Sequence, residues 1–354
     1  MEPNRSAATV DTAINYGVLT CAAEVALISP EWDALLARSP CNRAFSCSTW
    51  FLAACGFSPD LTPYLDSPLQ PNVIVARRGN QIAGILPLAL SPDHEEAGFP
   101  GTLSDYNDIV AIAGDTQIAT GLLEFAASRN GAYSRLVLKC LRTDSLCLRA
   151  AGLLDSARAI DNTFESDQTV CPYLDIASGY EEYLKTRPGG FLKRLRYLQK
   201  KGLQSDVLAR ELDTKGISPD QVADSFLSLH LSRFGSRTGF RNAPVQSFLR
   251  RLLPALYAEG RMRVFALFER DRIIGIHLCI VGVDSLCLWS GGFLPEAAHL
   301  SPGMLLINTE IETACAEGFA EYDLMRGTES YKERWSTNTR VIRQLEFDMD
   351  TAGA

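Results

Sequence analysis

Apolar and polar positions alternate in two stretches of the chain that share nearly the same design. Val73-Ile74-Val75-Ala76 and Ile82-Ala83-Gly84-Ile85 are apolar runs on either side of a polar turn. This pattern predicts the two strands of a β-hairpin. Val264-Phe265-Ala266-Leu267 and Ile273-Ile274-Gly275-Ile276 repeat it without a gap, and glycine again takes the third place of the second strand.

Each hairpin is followed by a helix pattern, a glycine and a short apolar strand. The first set comprises residues 118–129, Gly131 and 136–138, and the second comprises 304–317, Gly318 and 322–324. Gly131 and Gly318 stand where a left-handed residue ends a helix. Because the same order occurs twice, the sequence predicts an internal duplication.

In the second of these helices, apolar residues recur at helical spacing, which predicts one face packed on a sheet. The residues expected on the packed face are Ile307, Ile311, Ala314 and Cys315, and those expected to face solvent are Glu310, Glu312 and Glu317. The N-terminus of this helix is therefore predicted to lie at a sheet edge.

The predicted unit runs strand, helix, helix, three antiparallel strands, helix, strand. Two such units give an α/β (mixed α+β) protein, each domain being a mixed, largely antiparallel sheet flanked by helices. The boundary is placed in the polar stretch 161–168, before a strand that starts at Cys171. We predict a tail at 1–17, domains at 18–165 and 166–347, and a tail at 348–354. Helical segments at 219–234 and 244–258 lengthen the second domain.

Composition narrows the class of protein. Of 354 residues, 46% are hydrophobic, which is ample for globular cores. No apolar run approaches the roughly 18 to 20 residues of a membrane span, and the N-terminus does not read as a signal peptide, so a soluble cytoplasmic protein is expected. Ten cysteines without C-x-x-C or Cys/His spacing predict buried thiols and no metal site. A net charge of −8 argues against non-specific nucleic-acid binding.

Candidate chemistry is concentrated near the C-terminus. Ser301-Pro302-Gly303 reads as a helix start, with Ser301 able to cap it, and the free N–H groups of the first turn, up to Met304, are suited to an anion. The strand after the helix ends in Asp323, and a polar loop beyond it is expected to bring Glu329, Tyr331 and Lys332 together. Such groups handle protons and negative charge.

A basic run precedes the second hairpin. No acidic residue occurs from Tyr183 to Ser205, and Arg194 and Lys201 are spaced to share one face of a helix. A phosphate-bearing donor or a charged acceptor would bind such a face. The alternative is an ordinary solvated helix.

The order Ser-Pro-Gly, helix, Asp-x-x-x-Gly-x-x-x-Tyr-Lys-x-x-Trp resembles the C-terminal signature of GNAT-superfamily acyltransferases of the CelD-like (cellulose-biosynthesis acetyltransferase) type. These enzymes are relatives of the Fem-type peptidoglycan aminoacyltransferases. The resemblance covers roughly residues 18 to 345, and it is carried by 104–108, 193–201, 230–234 and, most specifically, 327–332. It implies two tandem GNAT-like domains.

The resemblance also implies a donor. In GNAT enzymes the acyl-CoA pyrophosphate binds this helix start through a Q/R-x-x-G-x-G/A loop. The resemblance makes acyl-CoA the expected co-substrate. Here Gly303 is present, but Leu305 occupies the place of the second small residue, which weakens the case for CoA and keeps aminoacyl-tRNA or an acyl-carrier protein open as the donor.

Each of the other candidate site residues has an expected role. Lys332 is expected to stabilise donor phosphate or an oxyanion, and Tyr331 to protonate the leaving group. Asp108, Asp323 and His230 are candidates for general base, although Asp323 and His230 have equally simple structural explanations. The residues assigned to substrate binding are Tyr106, Arg233, Glu329 and Trp335, the last of which is better suited to packing.

No arrangement of cysteine, serine or histidine suggests a covalent acyl-enzyme. The leading prediction is direct transfer of an acyl group, in a ternary complex, from acyl-CoA to an amine of a small-molecule or sugar acceptor. The same fold with an aminoacyl-tRNA or acyl-carrier-protein donor is the second. A ligand-binding protein without turnover is the third.

Overall fold

A computed structural model describes residues 13–41, 43–101, 103–129, 131–154, 158–161, 170–213 and 215–348. The helices are α1 (Ala22–Leu36), α2 (Ser48–Cys55), α3 (Thr116–Ala127), α4 (Leu146–Ala151), α5 (Tyr180–Lys185), α6 (Gly189–Gln204), α7 (Pro219–Phe234), α8 (Ala243–Ala258), α9 (Pro302–Ala316) and α10 (Ser330–Trp335). Among the described residues, none of the helices is both long and apolar enough to cross a lipid bilayer.

The strands are β1 (Ile14–Leu19), β2 (Gln70–Pro71), β3 (Val73–Arg78), β4 (Gln81–Leu86), β5 (Ala89–Leu90), β6 (Glu96–Gly98), β7 (Val110–Ala111), β8 (Arg135–Arg142), β9 (Arg158–Asp161), β10 (Val170–Asp175), β11 (Val207–Leu212), β12 (Met262–Glu269), β13 (Arg272–Val281), β14 (Ser285–Phe293), β15 (Glu321–Asp323) and β16 (Asn338–Asp348).

The strands form two sheets. One is antiparallel, in the order β1-β3-β4-β7, and the other runs β11-β12-β13-β14-β15-β10-β16-β8-β6-β5-β2, with β9 paired to β16. Two pairs in the long sheet, β14 with β15 and β6 with β8, are parallel, and the other pairs in it are antiparallel. The predicted fold class, mixed and largely antiparallel sheets flanked by helices, is confirmed.

The two predicted hairpins are β3–β4 and β12–β13, and both carry an irregularity at the same place. The register shifts between Ala76 and Arg77 in the first hairpin, and between Leu267 and Phe268 in the second. A shared β-bulge supports the predicted duplication, because bulges are specific features of a strand pair.

A glycine in the second strand of each hairpin lets the following helix lie close to the sheet. A Cβ atom added to Gly84 would lie 2.2 Å from Ile118 Cγ2 of α3, whereas one added to Gly275 would lie 3.5 Å from Leu306 Cδ1 of α9. The approach is therefore closer in the first half than in the second. Gly318 has φ +81°, directly after the last turn of α9, as its predicted role requires.

The predicted faces of α9 are right except at one position. Ile307, Ile311 and Ala314 are buried against the sheet, while Glu312 and Glu317 are exposed. Glu310, which was expected to face solvent, is 0% exposed, so that expectation is wrong. The reason is that two polar side chains beneath the helix, described below, bind its carboxylate.

The pairing of β14 with β15 determines where one cavity of the protein lies. Their parallel ladder joins Ser285–Cys287 to Glu321–Asp323 and then ends. Beyond that point the strands separate, so residues 288–293 on one side and 324–326 on the other face a gap. The N-terminus of α9 lies at the same gap.

Helices α7 and α8, predicted as additions before the second hairpin, connect the two halves of the molecule. Trp50 of α2 makes edge-to-face contacts with Phe248 of α8, at 5.7 Å between ring centroids, and with Trp289 of β14, at 5.5 Å. The Trp289 Nε1–H donates to the carbonyl of Leu103 at 3.1 Å. One hydrophobic cluster therefore spans both halves.

Strand β16 also links the halves. Its first residues pair with β10, and its later residues pair with β8 and β9 of the first half. Most of the predicted boundary stretch 161–168 lies outside the described residues, as do the first 12 positions and those after 348. We retain 18–165 and 166–347 as proposed domains that share this strand.

All ten cysteines carry free thiols, and eight of them are buried. Cys21 is exposed and Cys315 is partly exposed. Burial raises the pKa of the Cys41 and Cys47 thiols to about 12. These thiols therefore stay protonated and behave as small apolar side chains.

Candidate active site

A cavity of about 530 Å³ fills the gap between the separated ends of β14 and β15. Its walls come from α7, β13, β14, the start of α9, the loop after β15 and α10. Of the residues predicted from sequence, the cavity is lined by Ser301, Gly303, Met304, His230, Arg233, Glu329, Tyr331, Lys332 and Trp335. Most of the predicted chemistry thus converges on one site.

Two predicted residues lie away from this cavity. The Tyr106 hydroxyl donates to Asp323 Oδ2 at 2.8 Å, and Asp323 Oδ1 accepts the backbone N–H of Met325 at 2.7 Å. Both side chains are buried. Burial, followed by the Asp323 charge, raises the pKa of Tyr106 well above its ordinary value, so the phenol remains a donor. The pair joins the two halves, and neither residue lines the wall as a base or a substrate contact.

Asp108 is also separate from the cavity. Its carboxylate accepts three backbone N–H groups, from Ile109, Leu146 and Cys147, each at 2.9 Å. Burial raises the pKa of Asp108 to about 6, against the opposing effect of those hydrogen bonds. Because its lone pairs hold the start of α4, we correct its expected role from general base to structural acceptor.

His230 lines the cavity, but both of its ring nitrogens have partners. Nδ1 lies 2.9 Å from the carbonyl oxygen of Gly291, and Nε2 lies 3.0 Å from Thr238 Oγ1. A carbonyl only accepts, so Nδ1 carries the proton and Nε2 accepts from the threonine. Burial lowers the pKa of His230 to about 4. His230 is therefore neutral, and its lone pair is already used.

The segment expected to be a polar loop at 329–335 is a short helix, α10, preceded by Glu329. Lys332 is 4% exposed, and its Nζ donates to the carbonyl of Arg326, to that of Met325 at 3.4 Å and to Glu329 Oε2 at 3.0 Å. The three donors of the ammonium thus have protein partners. Burial, followed by the Glu329 charge, raises the pKa of Tyr331 and keeps this phenol protonated.

Arg233 presents a cation to the cavity. Its guanidinium lies 4.5 Å from the ring centroid of Phe234 and 4.3 Å from that of Phe293. In the part of the chain that the structure describes, Arg233 has no salt-bridge partner. Trp335 touches the cavity at one end and packs edge-to-face on Phe191, with 4.8 Å between ring centroids, so its main role is packing.

The start of α9 differs from the prediction in one detail. Pro302 occupies the first turn, but Ser301 has φ 54° and ψ 59° and makes no side-chain cap. Its Oγ accepts instead from Arg194 Nη2 of α6, at 3.3 Å. The N–H of Gly303 has no hydrogen-bond partner among the described residues. Lys201 Nζ donates to the carbonyl of His299 at 3.1 Å, so the basic helix lies across the turn before α9.

Leu305, which replaces the second small residue of the expected phosphate loop, does not obstruct the cavity. It is buried and packs towards Gly202 of α6, where a Cβ added to Gly202 would lie 3.7 Å from Leu305 Cδ1. The leucine thus fastens α9 to the basic helix. Arg194 and Lys201 stand beside the cavity rather than in its wall.

A buried group of three residues next to the cavity was not predicted from the sequence. His277 of β13 lines the cavity, and its Nδ1 lies 2.8 Å from Glu310 Oε1. Glu310 Oε2 accepts from the Tyr322 hydroxyl. The sequence does contain a sign of both residues. His277 is a polar residue within an apolar strand, and Glu310 follows the packed residue Ile307 by three positions, so it falls near the packed face of its helix.

An ion pair was missed as well. Arg326, just after β15, donates to Asp105 of the first half, and both residues line the cavity.

The described residues contain no group of histidine, cysteine and carboxylate side chains suited to a metal ion.

Comparison with known proteins agrees with this geometry. Residues 189–333 match the family described as acetyltransferase (GNAT) domain. No curated protein sequence matches the chain. Among solved structures, FemX is similar at a TM-score of 0.66 and 12% identity, over 90% of this chain and 96% of that one.

Two further structures share the fold. The C-terminal domain (DUF2156) of a putative lysylphosphatidylglycerol synthetase from Agrobacterium fabrum aligns at a TM-score of 0.56 and 13% identity, over 92% of each chain. L-PGS from Bacillus licheniformis aligns at 0.56 and 10% identity, over 92% of this chain and 93% of that one. The chain therefore shares the fold of these structures, and residues 189–333 of it are similar to a GNAT acetyltransferase domain.

Proposed function

We propose that this protein is an N-acyltransferase that moves an acyl group from acyl-CoA to an amine of a small-molecule or sugar acceptor, by direct attack in a ternary complex. The observation that carries the proposal is the cavity between β14 and β15, which ends at the start of α9 beside the basic helix α6. The 327–332 element supports the CelD-like type in particular. A biosynthetic role in the cytoplasm fits this activity.

The donor's phosphates would lie at the start of α9. The free N–H of Gly303 and the positive end of the helix favour an anion there. Arg194 and Lys201 already reach this turn, through Ser301 and His299, and either side chain can exchange its weak contact for a phosphate oxygen. The acyl thioester then reaches into the cavity.

The acceptor would occupy the inner part of the cavity. Arg233 offers a guanidinium held between two aromatic rings, which suits an acceptor with a carboxylate or phosphate group. Arg326 and Asp105 bound the opposite side. Tyr331, kept protonated, can donate a proton to the departing thiolate.

A second donor class has specific support. Leu305 removes one small residue from the phosphate loop, and α6 continues its basic surface away from the cavity with exposed Lys193, Arg196 and Lys200. Tyr197, 54% exposed, lies among them. Such a surface suits a macromolecular polyanion, so aminoacyl-tRNA or an acyl-carrier protein is the alternative donor.

Calorimetric titration of the full chain with acetyl-CoA and with CoA separates the two donors. Because a single glycine of the loop is present, we expect micromolar binding, about −8 kcal/mol or weaker. Native mass spectrometry of freshly purified protein adds a check for retained CoA. Absence of heat with both ligands, together with turnover supported by a charged tRNA or an acyl-carrier protein, contradicts the acyl-CoA assignment.

A further inference from the structure

The imidazole of His277 occupies a space that the sheet leaves open for it. His277 of β13 is paired with Gly291 of β14, and a Cβ atom added to Gly291 would lie 2.2 Å from His277 Cδ2 and 2.9 Å from its Nε2. No residue larger than glycine fits at 291 while the ring stays in place. The absence of a side chain at Gly291 therefore leaves room for the imidazole beside the cavity.

Glu310 determines which ring nitrogen of His277 carries the proton. Its carboxylate is fully buried, and each oxygen has one partner: His277 Nδ1 at 2.8 Å and the Tyr322 hydroxyl. A buried carboxylate remains charged only when donors satisfy it. Burial, followed by the Glu310 charge, raises the pKa of Tyr322 well above its ordinary value, so the phenol always donates. The second donor is then the Nδ1–H of His277.

With its proton on Nδ1, neutral His277 carries a lone pair on Nε2. Within the described part of the chain, this nitrogen has no hydrogen-bond partner, although the residue lines the cavity. The other candidate bases are occupied: His230 by Gly291 and Thr238, Asp105 by Arg326, and Glu329 by Lys332. A basic nitrogen that has no hydrogen-bond partner, in a residue that lines a cavity, is suited to receive a proton.

We propose that His277 is the catalytic base of the acyl transfer, and that Glu310 and Tyr322 are positioning residues that hold it in the reactive tautomer. This inference rests on the proposed function. The amine nitrogen attacks the thioester carbonyl, the C–N bond forms and the C–S bond breaks. The amine proton passes to His277 Nε2. The CoA thiolate leaves as the thiol after it receives a proton from the imidazolium, either directly or from Tyr331, whose phenolate then takes the imidazolium proton. The products are the amide and free CoA, and His277 returns to its neutral form.

Several ionisable groups surround His277. Those that face it or share its cavity are Glu310 from α9, Tyr322 from β15, His230 and Arg233 from α7, Glu329, Tyr331 and Lys332 around α10, Asp105 and Arg326. When His277 takes up the amine proton, the carboxylate of Glu310 stabilises the positive charge that forms on the ring.

The first test compares His277→Gln and Glu310→Gln with matched controls in the full-length protein. His94→Gln changes an exposed histidine outside the cavity, and Glu312→Gln changes an exposed carboxylate on the same helix as Glu310. With acetyl-CoA and a panel of amines, His277→Gln should lower kcat by about a hundredfold or more. The KM for acetyl-CoA should stay near the wild-type value.

Glu310→Gln should lower kcat less than His277→Gln does, with an unchanged KM for acetyl-CoA, since the amide oxygen can still accept the Nδ1–H but carries no charge to stabilise the imidazolium. The controls should keep the wild-type kcat. A folded His277→Gln protein with a wild-type kcat overturns the role of His277 alone. Failure of the wild type with every donor and amine overturns the proposed function and the role of His277 together.

The second test needs no substrate and no folded variant at position 277. Long-range proton–nitrogen NMR of histidine-labelled wild type reports which ring nitrogen carries the proton. We expect the proton on Nδ1 of His277. A proton on Nε2 overturns the inference.

Discussion

The replacement of Lys332 by methionine distinguishes a positioning ammonium from one that acts on the reaction. Lys332 is almost fully buried, and its Nζ donates to the carbonyls of Arg326 and Met325 and to Glu329. These contacts hold the loop after β15, where Gly327 has φ +116° and a Cβ would lie 3.1 Å from Lys332 Nζ. Methionine fills a similar volume and removes the charge.

The expected cost can be worked out from these contacts. The bond to the Arg326 carbonyl is charge-assisted, and such bonds contribute about 1.5–3 kcal/mol. The Met325 contact is long at 3.4 Å, and Glu329 is 57% exposed, so the ion pair adds at most about 1 kcal/mol. Since the three donors are in use, we expect the main effect on stability. The loss should be about 2–4 kcal/mol, because a charge-assisted hydrogen bond and an ion pair of a buried ammonium are removed together.

Urea unfolding and steady-state turnover are measured on the same protein, with the exposed Lys215→Met as control. A positioning lysine gives reduced stability, with turnover per folded molecule within about tenfold of wild type, equivalent to about 1.4 kcal/mol. Unchanged stability with a hundredfold loss of kcat, about 2.7 kcal/mol, would refute this reasoning and restore Lys332 as an oxyanion or phosphate group.

Three further outcomes are expected. Arg194→Ala and Lys201→Ala should raise the KM for acetyl-CoA and flatten its salt dependence without affecting stability; unchanged kinetics at low salt would make α6 an ordinary surface helix. Gly84→Ala should destabilise the protein by about 1–3 kcal/mol, because its Cβ meets Ile118, whereas the matched Gly275→Ala should cost less than about 1.5 kcal/mol; equal losses would contradict the packing argument. His230 has a pKa lowered from 6.5 to about 4, so stability that is present above pH 6.5 is lost as pH falls towards 4. His230→Asn should flatten the pH dependence of unfolding in that window, and an unaltered slope would show that another group titrates there.

The parts of the fold that depend on local pattern were predictable from the sequence. The hairpins, the start of α9 at Pro302 and the strand that ends at Asp323 follow from alternation, helix-start chemistry and turn glycines within short windows. Most residues of the C-terminal motif line one cavity, because they lie near one another along the chain.

Contacts between distant segments were not predictable in this way. Tyr106 reaches Asp323 across 217 positions, and β16 pairs with strands of both halves. Glu310 was assigned to solvent because glutamate on a helix is usually exposed, and only the tertiary structure shows that His277 and Tyr322 compensate its burial. Helical periodicity gives the face of a residue, and the chemistry beneath that face comes from other segments.

Product analysis of a reaction between acetyl-CoA and a panel of amines, including amino acids and amino sugars, tests whether the full chain is an N-acyltransferase. We expect one N-acetylated product per free CoA thiol released, with preference for acceptors that carry an anionic group for Arg233. Thiol release without an N-acyl product, or no reaction with acetyl-CoA while an aminoacyl-tRNA or acyl-carrier protein supports transfer, would contradict it.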